Sequence, residues 1–246
     1  MIYLKKFNTE SDYVTYRDDK SKYIKPNVSL SDDNRCVYYN YPPKPKPNGH
    51  DYVDLGLPSG TLWATMNVGA DKPTDNGLYF QWGDTVGYTA DQVGTGNGQK
   101  KFSWADYKWS IDGSSTNFSK YNTAGDTLDL EDDAAHVNMG GDWHMPTPDQ
   151  NEELIDNTTS TWTTQDGVNG SLFTSKKDTS KSIFIPAAGY AWDGSVVDRG
   201  YGGYVWSSVL SSSDVDNGQY LLFSSGSAYL GSSCRSYGFS VRGVLG

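Results

Sequence analysis

Apolar and polar residues alternate in short runs along most of this chain, and Gly, Pro, Asn and Asp separate the runs. Alternation with a period of two is typical of half-buried β-strands. The runs at 52–57 and 61–66 flank Pro58-Ser59-Gly60, which predicts a β-hairpin. Similar runs predict further strands at 78–82, 182–186, 203–208, 220–224 and 239–244.

Two segments carry helix signals instead. Asp129 is predicted to cap a helix over 130–139, which Gly140 would end. Thr147-Pro148-Asp149-Gln150 is a capping box with Pro at the first helical position, and it predicts a helix that continues through Ile155. Strands, then two helices, then strands again is an α+β order, because a parallel α/β sheet would alternate the two throughout.

The clearest boundary is the Pro-rich stretch 42–49, which contains four Pro within residues 42–47 and predicts a stiff spacer. The preceding residues, 1–41, are too few for a well-buried core of their own. We interpret them as a small N-terminal attachment or oligomerisation module with strands at 1–7 and 35–41. An arm without structure of its own is the alternative. Residues 50–246 would form the main domain, with long ordered loops over 84–125.

Composition narrows the class of protein. The chain has 246 residues, of which 14% are aromatic and only 20% are charged, and it includes 27 Gly and 18 Tyr. Its polarity therefore comes from Ser, Thr, Asn and Gly, which argues against a helical bundle. A net charge of −10 argues against nucleic-acid binding. No apolar run is long enough for membrane insertion, and no signal peptide is visible at the start.

Five ordered phrases resemble the C-type-lectin-like domains of the formylglycine-generating-enzyme type: 53–64, 140–147, 185–190, 206–208 and 238–242. The resemblance covers about residues 50–246. It implies a C-type-lectin-like fold of short antiparallel strands with two helices and long ordered loops. The sequence departs from the family at His144, where the family usually carries Arg.

The C-terminal segment is similar to the variable proteins of diversity-generating retroelements, which mutate adenine-containing codons in this part of the fold. Randomised Asn-type codons yield Tyr, Ser and Gly but never Lys, Glu or Met. Residues 201–246 contain 12 Ser, 8 Gly and 5 Tyr, and no Lys, Glu or Met. A Ser- and Gly-rich edge strand also produces this composition. The resemblance implies a variable binding region at about 204–240.

Alternation along 220–224 predicts that Tyr220, Leu222 and Ser224 face outward while Leu221 and Phe223 face the core. Tyr, Ser and Gly are residues that binding surfaces favour. With the positions that the resemblance adds, the candidate ligand-binding residues are Tyr204, Val209, Leu210, Tyr220, Leu222, Ser224, Ser227, Tyr229, Ser233, Cys234, Ser236 and Tyr237. The resemblance also implies a fixed frame of Trp206, Gly238, Phe239, Val241 and Arg242. Cys234 has two interpretations, a solvent-facing variable residue or a buried structural one.

No residue pattern for catalysis stands out. The oxidase branch of this superfamily works through two cysteines near its C-terminal end, and only Cys234 lies in that region. Glu152 and Glu153 are adjacent on a predicted helix, so their carboxylates diverge by about 100°. We expect no enzyme, no catalytic residue, no metal site and no cofactor, although Asp214 and Asp216 leave calcium binding open.

These observations together lead to the hypothesis of a non-enzymatic receptor-binding protein, diversified by a retroelement and displayed on a phage virion. The phrase 23–34 resembles the start of phage structural proteins, which indicates virion proteins as partners of the N-terminal module. The ligand would be a host cell-surface protein or glycan, and homo-oligomerisation stays open. Localisation would be the virion, or the extracellular space after lysis. The alternatives are an undiversified bacterial adhesin or glycan-binding module and a structural virion decoration protein.

Overall fold

The computed structural model describes residues 46–246 in full and, before them, the backbone of three strands. The chain divides into two compact units, Met1–Pro45 and Lys46–Gly246. In the first unit β3 pairs antiparallel with both β1 and β2. These strands are β1 (Ile2–Lys6), β2 (Val28–Leu30) and β3 (Cys36–Asn40).

The strands predicted at 1–7 and 35–41 are thus confirmed as β1 and β3. Of the predicted spacer 42–49, residues 42–45 lie outside the described residues, and Pro47–Gly49 form a single 3-10 turn. The Pro47 carbonyl oxygen accepts a hydrogen bond from Trp143 Nε1 at 3.0 Å. Asn48 Nδ2 donates to the Met139 carbonyl oxygen at 2.8 Å. The last residues of the predicted spacer are therefore anchored to the second unit.

The second unit is mixed α+β and is built from four small sheets. Its strands are β4 (Tyr52–Asp54), β5 (Leu62–Ala64), β6 (Thr158–Gln165), β7 (Val168–Ser175), β8 (Ser182–Pro186), β9 (Tyr190–Trp192), β10 (Ser195–Val197), β11 (Gly202–Leu210), β12 (Asn217–Ser224), β13 (Ala228–Cys234) and β14 (Val244–Leu245). All pairs between them are antiparallel, in the sheet orders β14-β5-β4, β6-β7-β8, β10-β9 and β11-β12-β13. The predicted hairpin at 52–66 is confirmed as β4 and β5.

Two α-helices lie between β5 and β6: α1 (Ala134–Met139) and α2 (Pro148–Asn157). The Thr147 capping box is confirmed, because the Thr147 side chain accepts from Gln150 N. The predicted cap of α1 is wrong. Leu130–Asp132 form a 3-10 turn, and the Asp133 side chain accepts from His136 N to cap the shorter helix. Asp129 and the run Glu131-Asp132-Asp133 all offer acidic residues for a cap, so its position was ambiguous from sequence alone.

Three further differences separate the observed strands from the predicted ones. The hairpin of β6 and β7 was not predicted, and neither were β9, β10 and β13. The predicted strand 78–82 contributes only isolated bridges, Tyr79 to Tyr88 and Phe80 to Phe239. The predicted strand 239–244 is reduced to β14, because Phe239 and Ser240 form only isolated bridges, with Phe80 and Val205. Residues 84–125 are turns and short 3-10 segments, as the sequence predicted.

Aromatic side chains fill the centre of the second unit. Trp206 and Phe239 are both fully buried and stack with ring centroids 4.0 Å apart. Trp82 Nε1 donates to the Ser207 carbonyl oxygen, and Trp206 Nε1 donates to the Phe80 carbonyl oxygen. Because these polar edges are satisfied inside the core, the rings fix the loops around β11 in place. Within the described part of the chain, no helix is long and apolar enough to cross a membrane.

Candidate functional site

The three-stranded sheet of β11, β12 and β13 carries most of the candidate residues. In its register Tyr204 pairs with Leu222, and Leu222 pairs with Tyr229, so one row crosses all three strands. The predicted alternation is confirmed on β12, since Leu221 and Phe223 are fully buried and Tyr220, Leu222 and Ser224 are partly exposed. One side of β12 therefore faces the core, and the other reaches solvent.

Tyrosine rings gather on the solvent side around the buried ring of Phe239. Tyr204 and Tyr220 lie with ring centroids 5.8 Å apart, and Tyr190 stacks on Tyr237 at 5.8 Å. Exposed Trp192 packs against Tyr237. We call this surface the aromatic face and define it by Tyr190, Trp192, Tyr204, Tyr220, Tyr229 and Tyr237. It presents rigid, amphipathic rings of the kind that dominate binding surfaces.

Glycine allows Tyr220 to lie flat on its neighbour strand. Gly231 is the cross-strand partner of Tyr220, and a Cβ at Gly231 would come within 2.8 Å of the Tyr220 ring. A side chain at that position would push the ring outward. The Gly on β13 therefore keeps the surface beside Tyr229 open.

A carboxylate borders the aromatic face. The Tyr204 hydroxyl donates to Asp198 Oδ2 at 2.9 Å, and Asp198 itself adopts a left-handed backbone with φ 56°. Burial raises the pKa of Tyr204, and the neighbouring Asp198 carboxylate raises that pKa further. Burial likewise raises the pKa of Tyr190 and of Tyr220. These phenols stay protonated at neutral pH and keep their hydrogen-bond donors.

The structure distributes the twelve candidate residues over three levels of burial. Ser227 and Tyr229 are exposed. Eight are partly exposed: Tyr204, Val209, Tyr220, Leu222, Ser224, Ser233, Cys234 and Tyr237. Leu210 and Ser236 are buried, at 0% and 1% exposure, so their assignment to the surface is wrong.

Both corrections have a local cause. The register of β11 shifts between Trp206 and Leu210, and this irregularity turns Leu210 inward among Trp206 and its neighbours. Ser236 follows β13 in a turn, where its carbonyl oxygen accepts from the buried Gln81 Nε2 at 2.8 Å. Neither a bulge nor a buried turn changes the apolar pattern of the sequence, so neither was predictable from it.

Cys234 falls between the two predicted interpretations, because it is a free thiol of intermediate burial. Burial raises the pKa of the Cys234 thiol, and the nearby Asp216 carboxylate raises it further. A raised pKa reduces the thiolate fraction, so Cys234 is a weak nucleophile at neutral pH.

Two of the frame residues, Trp206 and Phe239, contact rings of the aromatic face. Trp206, Phe239, Val241 and Arg242 are all at most 1% exposed. A Cβ at Gly238 would meet the Phe102 ring and the Ala191 side chain, so this position has room only for Gly. The face thus rests on residues that cannot change freely without disturbing the core.

Sequence reasoning missed three residues at this surface: Tyr190, Trp192 and Asp198. Tyr190 belongs to the phrase 185–190, which indicated only the fold. Asp193-Gly194, between β9 and β10, is a signal for a tight hairpin, and both residues have positive φ. That signal could have shown that Trp192 stands at a strand end beside a turn.

One acidic group in residues 46–246 has the spacing of a metal site, namely Asp129, Glu131 and Asp132. Lys120 Nζ lies 2.6 Å from carboxylate oxygens of both Asp129 and Asp132, and Lys108 Nζ lies 2.8 Å from Asp132. Two ammonium groups therefore occupy the space that a cation would take. We assign this group to stabilisation of the 3-10 turn before α1.

Comparison with known proteins adds no relative. No protein-family model, no curated protein and no solved structure matches this chain.

Proposed function

We propose that this chain is a non-enzymatic ligand-binding protein with a C-type-lectin-like fold, and that the aromatic face is its receptor-binding surface. The observation that carries the proposal is the partly exposed row of Tyr204, Leu222 and Tyr229 across three strands, in which the Tyr204 ring packs against the buried Phe239 ring at 5.2 Å. Exposed aromatic side chains bordered by a hydrogen-bonded polar group, here Asp198 beside Tyr204, favour binding of a partner. The ligand is a host cell-surface protein or glycan.

We further propose that a retroelement diversifies this surface and that the N-terminal unit attaches the protein to a phage virion. The support is positional. Ten of the twelve candidate residues retain solvent exposure, whereas the frame residues Trp206, Phe239 and Arg242 are buried. Substitution at the exposed positions changes contacts with a ligand while the core remains intact, which is what a diversified surface requires.

Binding to host cells tests the receptor-binding proposal. The Tyr229→Ala and Trp192→Ala variants of the full chain should bind host cells at least about tenfold more weakly, because aromatic residues carry much of the energy of such surfaces. Exposed Ile111→Ala and Val137→Ala, which lie outside the aromatic face and the candidate residues, serve as controls and should bind like the parent. Unchanged binding by both aromatic variants, with unfolding midpoints equal to the parent, would refute the assignment.

The flanking DNA tests diversification separately. The proposal expects an imperfect repeat of the coding sequence for about residues 204–240 that differs only at adenines, close to a reverse transcriptase gene. A genome without such a repeat would remove the retroelement from the proposal and leave the binding surface as a separate question.

A further inference from the structure

A second recess lies in the second unit, outside the aromatic face. It is open to solvent, has a volume of about 600 Å³, and is lined by residues from four segments, at 69–79, 89–91, 167–169 and 199–200, together with Ala187. This volume is within the range of small-molecule sites, about 300–1,000 Å³. We call it the loop pocket. None of the candidate residues from the sequence lines it.

Arg199 supplies the positive charge of the loop pocket. In the amide orientation that satisfies both side chains, Asn76 Oδ1 accepts from Arg199 Nε at 3.0 Å and from Nη2 at 3.1 Å. Arg199 forms no ion pair with any carboxylate in residues 46–246. A guanidinium carries five N–H donors, so an oriented Arg199 keeps three for a ligand.

Thr74 adds a hydroxyl without a partner. The residue is 5% exposed, lines the loop pocket, and its Oγ1 has no hydrogen-bond partner among the described residues. Buried hydroxyls in folded proteins are nearly always hydrogen-bonded, because leaving one unpaired costs free energy. Because Oγ1 itself is buried in the free chain, a ligand hydroxyl would satisfy it only after the Thr74 side chain turns towards the pocket.

The remaining polar lining residues include two carboxylates and a fixed amide. Asp75 and Asp91 line the pocket as acceptors. Asn169 Nδ2 donates to the Gly200 carbonyl oxygen at 3.1 Å, and Asn169 Oδ1 accepts from Thr164 at 2.7 Å. The Asn169 bonds tie the loop at 199–200 to β6 and β7, so this wall is already formed before a ligand enters.

We propose that the loop pocket is a second binding site, which takes a short uncharged saccharide. A sugar hydroxyl both donates and accepts, and this lining offers donors at Arg199, acceptors at Asp75 and Asp91, and a group of either kind at Thr74. Lys72 Nζ lies 3.8 Å from the Asp75 carboxylate, so the charges of Lys72, Asp75, Asp91 and Arg199 balance around the pocket and favour neither an anion nor a cation. A neutral polyhydroxylated ligand is the class that uses all of them.

Saturation-transfer NMR on the full chain tests the site, with a panel of neutral mono- to tetrasaccharides as probes and free amino acids as the competing class. For the saccharide that binds, Arg199→Ala should weaken binding about tenfold, as expected for the loss of a charged donor. Thr74→Val should also weaken it while the unfolding midpoint stays equal or rises, because the hydroxyl has no partner to lose in the free protein.

Tyr229→Ala on the aromatic face is the matched control and should leave saccharide binding at the loop pocket unchanged. Three outcomes overturn the proposal: no saccharide of the panel binds, amino acids bind instead, or binding responds to Tyr229→Ala but not to Arg199→Ala. Loss of host-cell binding by Tyr229→Ala tests the aromatic face alone, so the two proposals fail independently.

Discussion

Arg242 has its guanidinium group completely cut off from water. Its Nε donates to Asn67 Oδ1 at 2.9 Å, its Nη1 to the Ala64 carbonyl oxygen at 2.9 Å, and its Nη2 to the Phe184 carbonyl oxygen at 3.1 Å. Burial lowers the pKa of Arg242 to about 9. One side chain thus joins β5, the loop after it and β8, and its hydrogen bonds offset the loss of hydration.

Substitution of Arg242 by Met should lower the free energy of unfolding by about 3 kcal/mol or more, because three buried acceptors lose their donor. Urea denaturation at pH 7 measures the change. The exposed Arg199→Met serves as the control and should cost about 1 kcal/mol or less. Equal effects of the two substitutions would show that the buried hydrogen bonds of Arg242 contribute little.

Leu210 and Leu222 were both assigned to the surface from the sequence, but only Leu222 is partly exposed. Their alanine variants should therefore differ in stability. Leu210→Ala should lower the free energy of unfolding by about 2–5 kcal/mol, because it opens a cavity in the core. Leu222→Ala should cost about 1 kcal/mol, as its side chain is only half-buried. Urea denaturation distinguishes them. A larger loss of unfolding free energy for Leu222→Ala than for Leu210→Ala would contradict the burial of Leu210 and support its predicted position on the surface.

Among the elements, the hairpin of β6 and β7 depends most clearly on its turn. Asp166 and Gly167 both have positive φ, 48° and 79°, as a tight two-residue turn between antiparallel strands requires. Gly167→Ala should therefore cost about 1 kcal/mol of unfolding free energy through backbone strain alone, because nothing lies within 4 Å of an added Cβ. Thermal unfolding measures it.

Gly226 is the matched control for that turn. It lies in the loop between β12 and β13, has equally open space around an added Cβ, and does not have a positive φ. Gly226→Ala should leave the unfolding midpoint within about 1 °C of the parent. A similar loss in both variants would mean that the strain at Gly167 is not the cause.

The elements also show what the sequence could predict. Hairpin β4–β5 and helix α2 were predictable because their signals are local: a Pro-Ser-Gly turn and a capping box. The β6–β7 hairpin carried the Asp166-Gly167 signal but lacks a clear apolar alternation on β6, where most residues are Thr or Ser. The inward turn of Leu210 and the position of Tyr190 and Trp192 beside β11 depend on contacts distant in sequence, which no local pattern encodes.

The 3-10 turn before α1 should be sensitive to acid. Burial alone would raise the pKa of Asp132. Hydrogen bonds from Lys108, Lys120 and Tyr121 lower it by more than burial raises it, so the pKa lies below its usual 3.8. A lowered pKa stabilises the fold above pH 3.8, and this stability is lost as the pH falls through the folded-state value. Asp132→Asn should cost about 1–3 kcal/mol at pH 7, and the difference from the parent should shrink at pH 2.5 in urea titrations. A constant difference would contradict this.

For the whole molecule, the division into two units predicts that binding and attachment can be separated. All three buried clusters of the described residues lie within Lys46–Gly246, as does the entire aromatic face. A domain that contains its own core folds without its neighbour. The fragment 46–246 should therefore unfold in one cooperative transition, with a midpoint within about 4 °C of the full chain.

The same fragment should bind host cells through the aromatic face with the affinity of a single site. If the N-terminal unit assembles several copies, the full chain should bind a multivalent cell surface more tightly than the fragment by about 10²-fold or more, while both bind equally to isolated monovalent receptor. Surface plasmon resonance with cells or receptor in the mobile phase, together with light scattering for the oligomeric state, measures both quantities. A monomeric full chain that binds cells no better than the fragment would rule out multivalency and limit the N-terminal unit to attachment.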